Sequence, residues 1–336
     1  ADFEVTVEVN NYAPAEFTVR NLSAGGNSYQ WTFEGGTPSA YTGEHPPTII
    51  YEHEGQYRIK METDNGSQTF TVIKEIEVGP RLQVAFDIVP SFEDEDDMEA
   101  PLRATFNTRL KGVETLSWTC PGAEITNETS ETASIYFQKE GEYTVTLDVS
   151  NGKTSERVSQ NITVQKNTNL RAHQDIRLGI NTAGEKYPMY YSTRLRHAIK
   201  QQEINEENAS LIDIIFFGLN MNFTKNCFVS PADLSNTTFP EIPKALQTKF
   251  INKTEMGSIN ITPSQFYDMT TDERIRNLPI ASGKTGDNFF SDSLLPRVVL
   301  FETSDGRKGA ILIKEMVRSE KENSYIVVDI KIQKND

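Results

Sequence analysis

Landmarks of the first half recur at a nearly fixed distance. Trp31, in Tyr29-Gln30-Trp31-Thr32, returns as Trp118 in Leu116-Ser117-Trp118-Thr119, an offset of 87. Gly55-Gln56-Tyr57 returns as Gly141-Glu142-Tyr143, Asn65-Gly66 as Asn151-Gly152, and Ile76 with Val78 as Ile162 with Val164, each at an offset of 86. A period this constant means one supersecondary plan used twice. Residues 1–79 and 80–165 are therefore read as two copies of one domain, and residues 166–336 as a third, in a chain of 336 residues.

Each copy reads as strands. Phe3-Glu4-Val5-Thr6-Val7-Glu8-Val9 and Tyr143-Thr144-Val145-Thr146-Leu147-Asp148-Val149 alternate apolar and polar residues, the period of a half-buried strand. Asn151-Gly152 supplies the positive φ of a tight hairpin. Several short strands per copy, one Trp in an early-middle strand and a Gly-x-Tyr suited to a tyrosine corner predict an immunoglobulin-like sandwich. No disulfide backs either Trp, so packing alone must hold each copy. The chain as a whole is expected to be mostly β.

Three stretches carry a family resemblance: Trp31-Thr32-Phe33-Glu34-Gly35-Gly36, then Tyr51-Glu52-His53-Glu54-Gly55-Gln56-Tyr57, then Asp64-Asn65-Gly66. They resemble the PKD family, whose motif reads Trp-Asp-Phe-Gly-Asp-Gly and is followed by a Tyr and a Gly-x-Tyr strand. Thr32 and Gly35 stand where that motif has its two Asp, and the second copy reads Trp118-Thr119-Cys120-Pro121-Gly122-Ala123. No calcium is therefore expected in the Trp31 loop. The resemblance implies spacer or adhesive modules on a secreted or cell-surface protein.

Residues 166–336 read as an α+β domain on an antiparallel sheet. Ile212 to Phe217 is a short apolar run, read as a buried strand. Thr262 to Leu278 looks helical, with Phe266, Met269, Ile275 and Leu278 near helical spacing. Val298–Phe301 and Gly309–Ile313 flank Ser304-Asp305-Gly306 as a hairpin, and Tyr325–Gln333 adds a strand with Ile326, Val328, Ile330 and Ile332 on one face. Leu211 to Phe216, Val229-Ser230-Pro231, Asn252-Lys253-Thr254 and Ser304 to Gly309 are similar to C-terminal domains of surface lipoproteins from Bacteroidetes. Asp292-Ser293-Leu294 is similar to the O-glycosylation motif of that phylum. Nine Asn-x-Ser/Thr sequons, Asn65 and Asn127 among them, are read as chance in an Asn- and Thr-rich chain.

Charge narrows the partners. The chain carries a net charge of -15. Residues 1–79 hold 4 basic and 12 acidic side chains and residues 80–165 hold 7 and 15, whereas residues 166–336 hold 22 and 21. Nucleic acid, which wants a basic face, is not an expected partner. No apolar run is long enough for a membrane-spanning helix. The sequence begins at Ala1 and reads as the mature part of a processed precursor, with lipid attachment through a removed leading segment in view.

Catalytic signatures do not emerge. His45, His53, His173 and His197 lack zincin spacing, and the nucleophile-elbow, P-loop and dinucleotide motifs are missing. Cys120 and Cys227 are read as buried free thiols. Glu93-Asp94-Glu95-Asp96-Asp97 is read as a self-repelling solvated loop, with calcium as the alternative. No catalytic residue, cofactor or metal is assigned. The candidate ligand site is aromatic: Tyr187, Tyr190, Tyr191, Phe289 and Phe290, with Phe289-Phe290 following a turn at Gly286-Asp287-Asn288. Such rings, if exposed together, would stack on a sugar. The expectation is a monomeric, non-catalytic, exported cell-surface protein whose tandem stalk presents a domain binding an extracellular glycan or a cell-surface protein. A purely structural or adhesive spacer, and an accessory chain of an extracellular hydrolase, are the alternatives.

Overall fold

The computed structural model describes residues 1–129, 131–281, 289–320 and 323–334. Its contacts divide the chain into two compact units, Ala1–Asn167 and Thr168–Asp336.

The first unit contains two sandwiches. The first comprises β1 (Phe3–Val7), β2 (Ala15–Asn21), β3 (Ser28–Phe33), β4 (Ala40–Thr42), β5 (Ile49–Tyr51), β6 (Gly55–Asp64) and β7 (Thr69–Val78). The second comprises β8 (Gln83–Pro90), β9 (Leu102–Lys111), β10 (Thr115–Thr119), β11 (Glu124–Thr126), β12 (Thr132–Phe137), β13 (Gly141–Ser150) and β14 (Ser155–Val164). Alternating residues of facing sheets meet in a core led by Phe3, Trp31, Tyr51 and Met61 in one copy and by Phe86, Phe106, Trp118 and Leu147 in the other. Trp31 is 1% and Trp118 6% exposed.

The copies differ by one strand. Sheet orders are β1-β2-β5 and β4-β3-β6-β7 in the first, but β11-β12-β9-β8 and β10-β13-β14 in the second. The short strand after the Trp strand thus pairs with β3 in one copy and crosses to β12 in the other. In the first copy the chain leaving β4 brings the Gly43 carbonyl to 3.0 Å from the Trp31 indole N–H, which donates to it. In the second copy the Trp118 indole N–H is buried with no hydrogen-bond partner among the described residues.

Other landmarks are shared. The Tyr57 hydroxyl donates to the His53 carbonyl at 2.9 Å and the Tyr143 hydroxyl to the Lys139 carbonyl at 2.8 Å, the same four-residue reach. Gly35, with φ +71, has the Tyr57 ring 2.4 Å from where a Cβ would lie. In this chain, therefore, the absence of a side chain at Gly35 lets the Tyr57 ring lie close against the backbone. Each copy also fastens its own exit. The Ala13 N–H donates to the Gly79 carbonyl at 3.0 Å and the Gly79 N–H to the Asn11 carbonyl at 2.8 Å; the Ala100 N–H donates to the Gln165 carbonyl at 2.9 Å and the Gln165 N–H to the Met98 carbonyl at 2.7 Å. Between the sandwiches, Asn10 Nδ2 donates to the Asn151 carbonyl at 2.6 Å and the Lys153 ammonium to the Pro14 carbonyl.

The acidic run forms a turn. Asp94 Oδ2 accepts from Ser91 Oγ at 2.7 Å and from the Arg103 N–H at 2.9 Å, and Asp97 Oδ1 from the Glu99 N–H at 3.1 Å.

The second unit holds two antiparallel sheets. One orders β15 (Leu170–Gly179), β23 (Tyr325–Gln333), β22 (Lys308–Val317), β21 (Arg297–Glu302) and β20 (Lys249–Ile251). The other orders β17 (His197–Ile199), β16 (Tyr190–Ser192), β18 (Ile214–Gly218) and β19 (Asn226–Val229). Ile214 and Phe216 of β18 share one core with Ile311 and Ile313 of β22 and with Ile326, Val328 and Ile330 of β23. Both sheets are also covered outside. Ala310 and Leu312 face Phe266 and Ile275, while Ile215 and Phe217 face Leu234 and Ile242. Cover on both faces explains why β18 and the middle of β22 are unbroken apolar runs rather than alternating ones.

The helical part of this unit is short. The sequence predicts a helix from Thr262 to Leu278; the structure has α1 over Pro263–Tyr267 and a 3-10 turn over Asp272–Arg274. Thr262 caps α1 by accepting from the Gln265 N–H at 3.2 Å. The helix gives way because Asp272, fully buried, is drawn out of line to accept from Asn169 Nδ2 at 2.7 Å, Gln333 Nε2 at 2.8 Å and Arg276 Nε at 2.9 Å. Phe266, Met269 and Ile275 still reach the core, with Leu278 packed beside it, through two turns instead of one helix.

Candidate functional site

The aromatic candidates do not form a platform. Tyr190, Tyr191 and Phe290 are buried, so the expected exposed patch is corrected. Adjacent residues of β16 point to opposite sides of the sheet, and both sides are covered: Tyr191 and Phe290 enter the core between the sheets, and Tyr190 the core outside. Tyr187 and Phe289 are half-buried against these different cores. Tyr187 packs against Tyr325 with ring centroids 4.5 Å apart and the planes tilted by 36°, and the Lys225 ammonium lies 4.1 Å over Phe289. The turn expected at Gly286-Asp287-Asn288 lies outside the described residues.

Several groups with catalytic potential are hydrogen-bonded or buried. His173 Nδ1 pairs with the Tyr191 hydroxyl. Burial pushes the Cys227 thiol up to about 12, against the pull of Lys225, so it is a poor nucleophile. Cys120 is likewise buried, free and raised by burial. Asp213 Oδ2 accepts from the Thr193 N–H at 2.9 Å and its hydroxyl at 2.5 Å. Burial raises its carboxyl, opposed by Thr193 and by Arg307 and Arg194. Arg307 Nη2 donates to Thr193 Oγ1 at 3.2 Å and Arg307 Nε to Asp305 Oδ2 at 2.9 Å. This network joins the Asp305-Gly306 hairpin to the end of β16. No group of three or more potential ligands gathers to hold a metal among the described residues.

A cleft of about 1070 Å3 lies beside β16, and its walls come from separate parts of the second unit. Asn181 to Lys186 follow β15, Lys200-Gln201-Gln202 follow β17, and Asn323 precedes β23. The first wall is a compact turn. The Ala183 N–H donates to the Ile180 carbonyl at 2.8 Å and the Tyr187 N–H to the Ala183 carbonyl at 2.8 Å. Gly184 packs against Met189: a Cβ there would lie 2.8 Å from Met189 Cε, the flexible end of that side chain, and would displace it. The second wall is held by Glu203, whose Oε2 accepts from the Lys200 N–H at 2.8 Å. Met189 and Ala183, both buried, form the apolar floor. The Lys186 ammonium donates to Asn323 Oδ1 and so bridges the first wall to the third.

The lining is amide-rich: Asn181, Gln201, Gln202 and Asn323, with Lys186, Lys200 and Glu185 around them. Each amide offers two N–H donors and a carbonyl acceptor, a match for the mixed donor and acceptor edges of hydroxyl-bearing ligands. Asn181 Oδ1 is buried with no hydrogen-bond partner among the described residues. Sequence reasoning passed over all of these residues. The local signal is two short polar runs, Asn181-Thr182 and Lys200-Gln201-Gln202, on either side of the aromatic strand; nothing in one dimension brings Asn323 to them.

Residues 2–78 match the family model of the PKD domain. No curated protein matches the chain. Among solved structures, a DUF4466 family protein from Parabacteroides merdae is 12% identical, covers 99% of this chain and 98% of its own, and has a TM-score of 0.34. The three N-terminal domains of the Hoc capsid protein of bacteriophage RB49 are 14% identical, cover 99% of this chain and 97% of their own, and score 0.29. The fibronectin(III)-like modules of Clostridium thermocellum CbhA are 11% identical, cover 48% of this chain and 95% of their own, and score 0.25. With its Trp strand, its tyrosine corner and a family match over residues 2–78, the first sandwich is an immunoglobulin-like PKD domain.

Proposed function

We propose that the chain is a non-catalytic, exported cell-surface protein in which the two sandwiches act as a stalk and the C-terminal unit captures an extracellular glycan in the cleft beside β16. The observation that carries this reading is the cleft lining, in which four amide side chains stand with Lys186, Lys200 and Glu185 over an apolar floor of Met189 and Ala183. Such a lining recognises hydroxyls by paired hydrogen bonds that compete with water, so each site binds weakly and gains from multivalency. The PKD match of residues 2–78 supports an extracellular setting, and no helix among the described residues is long and apolar enough to cross a membrane. The hydrogen-bonded His173 and Asp213 and the buried, raised thiol of Cys227 favour binding over chemistry.

The test is a glycan array read with the intact chain displayed multivalently. A neutral polysaccharide signal lost in Gln201→Ala with Gln202→Ala, and kept in Tyr267→Ala outside the cleft, is the expected result. A signal indifferent to the glutamine pair removes the cleft from the reading.

A further inference from the structure

The Asn-Gly hairpins of the two sandwiches are built alike except in two respects, access and a base. In the first, the Asn65 Oδ1 accepts from the Ser67 N–H at 3.0 Å and from the Gln68 N–H at 2.9 Å. The Gly66 N–H donates to Asp64 Oδ1 at 2.6 Å, and Asp64 Oδ2 accepts from Thr69 Oγ1 at 3.1 Å. Asn65 through Gln68 are exposed. In the second, Asn151 Oδ1 accepts from the Lys153 N–H at 3.1 Å and the Thr154 N–H at 2.8 Å, so its amide is polarised in the same way. The Gly152 N–H, however, donates to the Ser150 hydroxyl at 3.1 Å. Asn151 is only 1% exposed, with its carbonyl held by Asn10.

We propose that Asn65-Gly66 is a site of self-catalysed deamidation, driven by Asp64, and that Asn151-Gly152 is protected by the fold. The Gly66 nitrogen attacks Asn65 Cγ. Its proton passes to the Asp64 carboxylate, which is placed to take it and is oriented by Thr69. Charge developing on Asn65 Oδ1 is met by the two N–H donors that already point at that oxygen. The new bond joins Gly66 N to Cγ. The Cγ–Nδ2 bond then breaks, and Nδ2 leaves as ammonia with the proton Asp64 returns. Water next opens the resulting succinimide at either carbonyl, giving aspartate or isoaspartate. Gly66, at φ +89 and without a side chain, leaves its nitrogen unshielded and its φ free to change during ring closure. Ser150 offers Gly152 no comparable base, and burial closes Asn151 to departing ammonia and entering water.

The product carries one more negative charge beside Asp64. As isoaspartate it also lengthens the main chain of the β6–β7 turn by a methylene.

The experiment incubates the intact folded chain at neutral pH and follows both peptides by mass spectrometry with isoaspartate detection. Asn65 should convert about tenfold or more faster than Asn151, and Asp64→Asn should slow Asn65 by about tenfold. In denaturant the two sites should converge. Equal rates in the folded chain, or an Asn65 rate unmoved by Asp64→Asn, would overturn the proposal. Should Asp64→Asn disturb folding, Thr69→Val loosens the carboxylate without removing it. A partial slowing in that variant supports the mechanism, and an unchanged rate refutes it.

Discussion

A single indole N–H separates the two sandwiches energetically. Trp31 donates to Gly43, whereas Trp118 is buried in an aromatic cluster, 4.5 Å from Phe106 and 4.9 Å from Phe86, without an acceptor among the described residues. Leaving a buried donor unmade costs about 1–3 kcal/mol. Trp31→Phe therefore loses ring volume and a hydrogen bond and strands the Gly43 carbonyl, while Trp118→Phe loses volume but relieves an unmet donor. Chemical denaturation should find Trp31→Phe the more destabilising by about 1–2 kcal/mol. An equal cost in both would mean that the Trp118 indole is satisfied in solution. The repeat was legible from residues such as Trp31, Gly55 and Asn65 because packing and turn geometry fix their spacing. The unequal fate of the indole was not, because it depends on which sheet a three-residue strand joins.

Elements in the second unit were legible in proportion to how locally they are determined. The hairpin around Asp305-Gly306 and the alternating face of β23 follow from turn chemistry and period, and both are present. The aromatic pair of β16 misled because two neighbouring rings look like a surface feature when the cover on each face comes from distant segments. The helix expected to Leu278 failed for a related reason: the partners of Asp272 are Asn169 and Gln333, far away in sequence. Burial works to raise the Asp272 carboxyl, but the hydrogen bonds from Arg276, Gln333 and Asn169 prevail and hold it below its ordinary 3.8. A lowered carboxyl contributes stability above its unfolded value, and that contribution disappears as pH falls through the folded one. Asp272→Asn should cost about 2 kcal/mol at neutral pH, with the gap to the parent narrowing below pH 3.8. Thermal melts across pH 7 to pH 3 check this; a gap that widens on acidification contradicts the assignment. The cleft was the least legible feature, since Asn181, Gln201 and Asn323 meet only after β15, β17 and β23 have taken their places.

At the scale of the molecule, the two sandwiches are contiguous in one compact unit. Asn10 and Lys153 tie the first to the Asn151 turn of the second, and Arg81 Nη2 reaches the Glu52 carboxylate at 3.0 Å. Calorimetry of residues 1–167 within the whole chain should show the sandwiches melting together. The double change Asn10→Ala with Lys153→Ala should split that transition into two. A single transition retained in the double variant would place the coupling elsewhere, in the junction itself. The acidity of these modules, against the near-neutral third region, repels anionic surfaces from the two sandwiches without opposing the approach of neutral molecules.

The exit fastenings at Gly79 and Gln165 have a mechanical meaning. In the proposed stalk role the chain would carry tension. In each sandwich a pull on the departing chain is met first by two backbone hydrogen bonds that tie Gly79 to Asn11 and Ala13, and Gln165 to Met98 and Ala100. Load therefore enters each sandwich through the segment that leads into β2 or β9, not only through the last strand. Peeling β7 or β14 from the sheet edge, the easy route by which a hairpin unzips, is delayed until those bonds break. The same fastening placed at both exits gives the two sandwiches a common way of resisting a pull on the departing chain.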